Sequence, residues 1–442
     1  MGGWADRAEQ GYDMTLTDSH FPNSKLHDHD TSIPFHISQG NTTIDQKTVA
    51  LMKPTSNTPT IQNLTLFLIL LMLTQTANSL RVAVLGSGIS GATAARSLAD
   101  RGVQVTVFEA GFGIGGRTST RITRDEHHYQ FDHGAQYIGR PKTSEFEDTL
   151  RSWRDQGWVK EWVGSFASVD GADCTMESKE RWVGYPGMHS ICRNLLHHKN
   201  IRVQTSTQAH ASQSDDQNTE WELVHGKTKE HLGTFDWLVA SDRNSAAHYR
   251  KDLSSVNLEE FTSGVKQIKS VKSLTAMVVF ESPINLKMDG IQFTGNDPQY
   301  GSLGWAARDS SKPGRERNDG QECWVLQSHP DAAKELLKGK RNLSQIREIA
   351  KEALVRDFIA SIPHLAEDVS IQIPSVTTSI GHRWGAAFPI PSKDFSEMES
   401  QVITNNNFVA CGDYFGALSG RIEGAFLSGR SAAGEILDCN KV

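Results

Sequence analysis

Three glycines and one acid, spaced across a strand-helix-strand pattern, carry the clearest chemistry in this chain. In "RVAVLGSGISGATAARSLADRGVQVTVFEAGFGIGGRTSTR", Arg81 to Arg121, the apolar run Val82 to Leu85 leads into Gly86, Gly88 and Gly91, and a helical pattern follows from Ala92 to Leu98. Gly86 permits a sharp turn, Gly88 lets a pyrophosphate approach the backbone, and Gly91, with Ala95 one turn later, allows the helix to lie close on the sheet. First-turn amides around Ile89 and Ser90 would then face phosphate oxygens. The next apolar run, Val103 to Phe108, ends on Glu109, 18 residues beyond Gly91. A carboxylate there accepts both hydroxyls of an adenosine ribose and disfavours a 2′-phosphate. These residues predict a dinucleotide site that disfavours NADP and leaves FAD and NAD both open.

A second set has the chemistry to line a substrate pocket. His133, Gln136 and Tyr137 in "DHGAQY", Trp305, and His382, Arg383 and Trp384 combine aromatic faces that stack on a flat heterocycle with a guanidinium that positions a phosphate or carboxylate. Pocket lining and core packing stand as equal alternatives for Trp305 and Trp384, and nothing in the sequence sets His382 against a reacting atom. Catalytic side chains stay unassigned. The lack of an acid-base triad does not argue against an enzyme, because a bound redox cofactor carries the difficult chemistry itself. The histidine pairs in "LLHHK" and "DEHHY" lack ligand spacing, and the five cysteines are dispersed without a C-x-x-C unit. No metal site and no disulfide scaffold are expected.

The elements that must position these residues read as an α/β chain. "IRVQTSTQ" from Ile201, "TEWELV" from Thr219 and "TFDWLVAS" from Thr234 suggest a meander that returns to a parallel sheet. From about Asp242 to Pro374 the pattern suits a second region. "SLTAMVVF", "QECWVLQS" and "SIQIPSV" read as strands, and Leu343, Ile346, Ala350, Ala353, Leu354 and Phe358 form the apolar stripe of a helix that covers a sheet. "NFVACGD", Asn407 to Asp413, is a buried strand ending in a glycine and an acid. Arg421 to Leu437 closes the chain as a helix with Ile422, Ala425, Phe426, Gly429 and Ala433 on a narrow face.

Together with the glycine segment, "FDHGAQYI", "YPGMHSICRNL", "WAARDSSKPGR", "HRWGAAFP" and "CGDYFGALSGRIEGAFLSGRSAAGEIL" resemble the renalase-like branch of the FAD-dependent flavin amine oxidase superfamily, from Leu80 to Leu437. The resemblance implies a Rossmann-like FAD-binding domain with an interrupting α+β substrate domain. It implies that Gly115, Gly116 and Arg117 lie along the FAD pyrophosphate, that Asp413 contacts the phosphate or ribityl region, and that backbone near Glu423, Gly424 and Ala425 approaches the flavin. A helix N-terminus there would stabilise negative charge on the reduced ring. For Glu423 itself, capping or a salt bridge is at least as good a reading as a direct role. The implied activity is oxidation of reduced nicotinamide isomers, with hydride passing to FAD and oxygen regenerating it. An amine or polyamine oxidase is the closest alternative, a desaturase or carotenoid-type isomerase is another, and a flavin-binding structural or regulatory protein is a third. "GDYFGALSG" lacks the S-G-x-C-Y pattern of covalent attachment, so non-covalent FAD is expected.

Composition sets the outer bounds. With 442 residues, 37% hydrophobic content and a formal charge of -7, the chain can bury large cores and has no general attraction to nucleic acid. Residues 1–60 are polar and aperiodic, which predicts disorder. "LTLFLILLML", Leu64 to Leu73, is too short to span a bilayer but suits a signal-peptide core, with Met52 and Lys53 before it and Ala77 and Ser79 after it. The expected organisation is therefore an extension at 1–60, a hydrophobic leader at 61–79, an FAD-binding domain at 80–241 and 375–442 that includes part of the substrate region, and a mainly substrate domain at 242–374. Transient membrane contact and a secretory or endomembrane location follow if the leader functions; otherwise the chain is soluble and intracellular. A small-molecule substrate and molecular oxygen are the expected partners, and the oligomeric state is left open.

Overall fold

The first strand, β1 (Arg81–Leu85), is buried at four of its five positions, as a parallel strand covered on both faces must be. It leads through the glycine turn into α1 (Ile89–Ala99) and then β2 (Gln104–Phe108). In the computed structural model the described residues are 80–213, 220–247, 253–254, 258–294, 297–339, 341–367, 370–390 and 392–441. The expected extension at 1–60 and leader at 61–79 lie outside them. From Leu80 onward the described residues belong to one unit.

Two sheets carry the architecture. The nucleotide-side sheet has six strands in the order Gln401–Ile403, Phe408–Ala410, Trp237–Ala240, β1, β2 and Ile201–Gln204. All of its pairs are parallel except the one between Gln401–Ile403 and Phe408–Ala410. This is the expected Rossmann-like α/β arrangement. The expected meander is met in part: "IRVQTSTQ" instead joins the parallel sheet as Ile201–Gln204 beside β2, the antiparallel meander is formed by Ala209–Ser212, Trp221–His225 and His231–Phe235, and Trp237–Ala240 returns beside β1 as expected. On one face of the sheet α1 packs against the C-terminal helix Ile422–Asn440. A side chain at Gly429 would come within 2.3 Å of the Ser90 carbonyl, and the Ser90 hydroxyl donates to the Ala425 carbonyl at 2.8 Å.

The second sheet supplies the additional α+β region. Its seven strands run Val376–Pro389, Ser270–Phe280, Glu322–Ser328, Leu303–Arg308, Gly290–Phe293, Phe166–Asp170 and Asp173–Glu177. It thus recruits strands on both sides of the 242–374 segment. The helix Leu343–Leu365, started by a capping box between Asn342 and Gln345, lays Ile346, Ala350, Leu354 and Phe358 against Leu274, Ala276 and Val278. One expected strand shifts: "SIQIPSV" is not a strand until Val376, because Pro374 has no N–H for the ladder. The pairing then continues for 14 residues to Pro389 and takes in all of "HRWGAAFP".

That strand alternates between two surroundings. His382 pairs with Thr275 and Trp384 with Ser273, while Gly381 pairs with Ala276 and Arg383 with Leu274. Directly paired residues point to the same face. Leu274 and Ala276 face the Leu343–Leu365 helix, and a Cβ at Gly381 would strike the Arg347 carbonyl of that helix at 1.9 Å. His382 and Trp384 therefore face the nucleotide side, and Arg383 faces the helix.

Candidate functional site

A cavity of about 560 Å³ opens at the carboxyl ends of β1, β2 and Trp237–Ala240, where open α/β sheets place their ligands. Gly86, Gly88, Ile89 and Ser90 line it at the turn. Gly88 is the N-cap of α1, and no side chain caps that end. A Cβ on Gly88 would meet no atom within 4 Å, so its missing side chain leaves open space beside uncapped amides. Gly86 takes a φ of 104°. Gly91 works from beneath the cavity: a Cβ there would sit 2.1 Å from the Gly86 carbonyl. The glycine tasks read from the sequence thus divide between one residue that faces the ligand space and two that shape the turn.

Glu109 lines the same cavity and holds the turn in place. One carboxylate oxygen accepts from the Ser87 amide at 3.1 Å and its hydroxyl at 2.6 Å, and the other accepts from the Gly111 amide at 2.7 Å. A carboxylate has about four acceptor positions, so capacity remains for a ribose hydroxyl. Gly115, Gly116 and Arg117 also line the cavity, with the Gly115 amide donating to the Ser87 carbonyl at 3.2 Å. The Arg117 guanidinium forks onto the Asp413 carboxylate, with one contact at 2.6 Å, and donates to the Ala387 carbonyl at 3.0 Å. Asp413 and Ala425 also line the cavity. Cys192 lies buried 3.5 Å from the Thr118 hydroxyl, and burial pushes its thiol up to about 12, which leaves it inert. The uncapped helix start, the open space at Gly88 and the acid on β2 fit the pyrophosphate and ribose of a dinucleotide such as FAD.

At the other end Trp384 forms part of the wall. Its indole N–H donates to the His133 carbonyl at 2.9 Å, its ring stacks on the His133 imidazole at 5.1 Å, and the His382 ring lies 4.5 Å away. The His133 carbonyl also accepts from Thr275 at 3.3 Å, and Gln327 donates to the Gly134 carbonyl at 2.7 Å. Burial lowers His133 to about 4 and His382 to about 3, so both rings are neutral near pH 7. His133 Nδ1 is buried and finds no partner among the described residues.

Immediately before His133 lies a buried set of charges that the sequence did not announce. Asp132, Asp309 and Lys312 are fully enclosed and Arg315 nearly so. Lys312 pairs with Asp309 at 2.6 Å and Asp132 at 3.3 Å, and Arg315 bonds both carboxylates. Asp132 accepts further from the Thr120 hydroxyl at 2.6 Å and the Met188 amide at 3.1 Å. Burial alone would raise its pKa, but Arg315 and Lys312 hold it below the ordinary value. "FDHGAQYI" and "WAARDSSKPGR" are thereby tied together behind the Trp384 wall.

Several residues expected at the site stand elsewhere. Gln136 sits behind the wall, donating to the Asp132 and Gly134 carbonyls and accepting from Lys312 at 3.4 Å. Tyr137 and Trp305 pack on each other at 5.6 Å within the core, and Arg181 covers Tyr137. Trp305 therefore takes the core alternative. Glu423 turns from the cavity: its carboxylate accepts from the Lys142 amide at 2.9 Å and from the amide and hydroxyl of Thr143, each at 2.8 Å. Gly424 is held against the Leu418 carbonyl, where a Cβ would come within 2.2 Å. Arg383 is the largest displacement. It lines an open groove with Lys272 and Arg341 on the far side of the sheet from Trp384. The cavity also includes Thr207, Asp242, Arg243 and Asn244, which the sequence reading passed over. For the last three the signal is a polar "SDRN" directly after the apolar strand Trp237–Ala240.

Residues 84–153 match the NAD(P)-binding Rossmann-like domain family. Across solved structures the chain is similar to a candidate protoporphyrinogen oxidase from Exiguobacterium sp. 255-15, with a TM-score of 0.60 and 10% identity over 81% of this chain and 99% of that one. Reduced UDP-galactopyranose mutase gives a TM-score of 0.60 and 11% identity over 81% and 96%. Wild-type putrescine oxidase bound to putrescine gives 0.51 and 9% over 82% and 100%. At these identities the likeness is one of fold: a Rossmann-like domain joined to a further α+β region.

Proposed function

We propose that this chain is an FAD-dependent oxidoreductase that binds its cofactor non-covalently and oxidises a small molecule beside Trp384, with molecular oxygen as acceptor. The observation that carries the reading is the single cavity reaching from the uncapped start of α1 and Glu109 to Trp384 and Ala425. Bound FAD supplies a hydride acceptor that oxygen regenerates. The chain's own residues bind and orient. Glu109 and the α1 amides take the ribose and pyrophosphate, Asp413 and Arg117 fix the middle, and the Trp384 indole, locked by His133, presents a flat face at the reacting end.

An amine is the substrate class that this end of the cavity favours. Arg383, the cation expected to hold a phosphate or carboxylate, faces the other side of the sheet; Arg117 is committed to Asp413; Arg243, which also lines the cavity, donates to the Ile268 carbonyl; and His133 and His382 are neutral. What remains at that wall is the Trp384 face, in a cavity that Ile422 and Ala425 also line, suited to an alkylamine and to a cation over the indole. Similarity in fold to an oxidase bound to putrescine supports the same choice. Reduced nicotinamide isomers are the second reading, favoured by the sequence resemblance carried by "FDHGAQYI" and "WAARDSSKPGR".

The test is anaerobic mixing of FAD-loaded protein with amines, polyamines and reduced nicotinamide isomers while flavin absorbance is followed. Rapid bleaching by an amine is the expected result. Bleaching by a nicotinamide isomer with every amine inert moves the assignment to the second reading. A protein that binds FAD and is reduced by neither class is not the enzyme proposed. Denaturation and filtration should release the yellow cofactor.

A further inference from the structure

The groove that holds Arg383 has no part in the cavity beside Trp384. It is lined by Lys272, Leu337, Arg341, Asn342, Ile346 and Arg383, with Gly339 at its rim. Among the described residues three cations and no carboxylate line it, on a chain whose formal charge is -7. Lys272 and Arg383 make no salt bridge among the described residues, and Arg383 Nε is buried without a hydrogen-bond partner. A buried guanidinium donor without an acceptor carries a desolvation cost that a bound oxyanion would remove.

The groove is also held rigidly. Arg341 donates one nitrogen to the Leu336 carbonyl at 2.7 Å, which fixes its guanidinium and leaves its other donors free to reach the groove. Asn342 and Gln345 lock the adjoining turn through their reciprocal bonds at 2.9 and 3.0 Å. Gly381 lets the Leu343–Leu365 helix press onto the strand two residues before Arg383, so the arginine stem leaves a fixed backbone.

We propose that this groove is a binding site for a small phosphorylated anion, a phosphate monoester or pyrophosphate, separate from the dinucleotide cavity. Arg383 and Arg341 present planar donor forks that match phosphate oxygens, and Lys272 adds a mobile charge from the adjacent strand. A doubly charged ligand would balance two of the three cations.

The probe is inorganic pyrophosphate, titrated calorimetrically into the otherwise full chain carrying Gly88→Trp. That substitution fills the space beside the uncapped α1 start, so pyrophosphate bound there does not contribute, and the measurement does not depend on whether FAD is the cofactor. Saturable binding of one equivalent is expected, weakened about 10- to 100-fold by Arg383→Leu and clearly by Lys272→Gln. Lys272 is exposed, so its variant keeps the fold even if loss of Arg383 disturbs it. Absence of saturable binding overturns the proposal. So does an affinity that neither variant changes, or one that follows ionic strength alone and is matched by sodium chloride.

Discussion

Asp132→Asn removes one charge from a set of four that is balanced only when complete. In the native chain two carboxylates face one ammonium and one guanidinium, and none of the four has appreciable contact with solvent. The variant leaves Lys312 and Arg315 sharing Asp309 alone, an uncompensated positive charge in the interior. Breaking a buried pair in this way costs about 3 to 5 kcal/mol. With an unfolding entropy of about 2.1 cal/mol/K per residue over roughly 360 residues, the melting temperature should fall by about 4 to 7 °C. Asp132 has a depressed carboxyl pKa, so its contribution is present above about pH 4 and disappears as the pH falls further; the comparison belongs at pH 7. The sharper test is a cycle with Lys312→Met. The double variant restores neutrality around Asp309 and Arg315, so it should be more stable than the sum of the two single losses implies, by at least about 1 kcal/mol. Denaturant midpoints measure all four proteins. A loss below about 1 kcal/mol for Asp132→Asn, or strict additivity in the cycle, would refute the argument that these charges act as one unit.

Two further outcomes concern the cavity. Gly88→Trp should abolish FAD retention while circular dichroism and the melting temperature stay close to those of cofactor-free wild type, because the new side chain leaves the backbone into open space at its Cβ; in the same equilibrium dialysis, Glu109→Ala should weaken FAD about tenfold or more through the lost ribose bond and the loosened Ser87 and Gly111 contacts. His133 has a folded pKa lowered to about 4 against an ordinary 6.5, so its stabilising effect is complete above pH 6.5 and is lost as pH falls towards 4, on the order of 3 kcal/mol at full extent; His133→Phe should flatten the fall in urea midpoint between pH 7 and pH 4.5, and an unchanged slope would place the sensitivity elsewhere.

The turn, α1, β2 and Glu109 could be read from the sequence because every contact that defines them lies within one strand-helix-strand unit. Asp242 and Arg243 could not be placed the same way. They reach the cavity only because Trp237–Ala240 pairs with β1, a neighbour set by the sheet and not by chain proximity. The assignment of Arg383 failed for a different reason. "HRWGAAFP" was read as a cluster of useful side chains and not as a strand, yet a strand's period of two separates Arg383 from His382 and Trp384 at once. The four buried charges show the same limit. Neither Asp132 nor "DSSKPGR" carries a local signal of burial, and only their pairing across more than 170 residues makes burial tolerable.

The last helix gives the dinucleotide cavity a temporal property. The Ser90 hydroxyl beside the glycine turn bonds a carbonyl 335 residues later, and Gly429 must be bare for the two helices to close on each other. During synthesis the glycine turn leaves the ribosome 335 residues before the carbonyl that Ser90 bonds, and its supporting face stays exposed in the interval. Long-range closure of this kind is slow and leaves apolar surface uncovered meanwhile. A chain stopped near residue 400 would carry every glycine and the ribose acid, yet lack the wall formed by Asp413, Ile422 and Ala425. Cofactor retention would then report that the helix Ile422–Asn440 is in place: a product without it stays colourless and open to proteolysis, while a chain that carries it can close around the nucleotide.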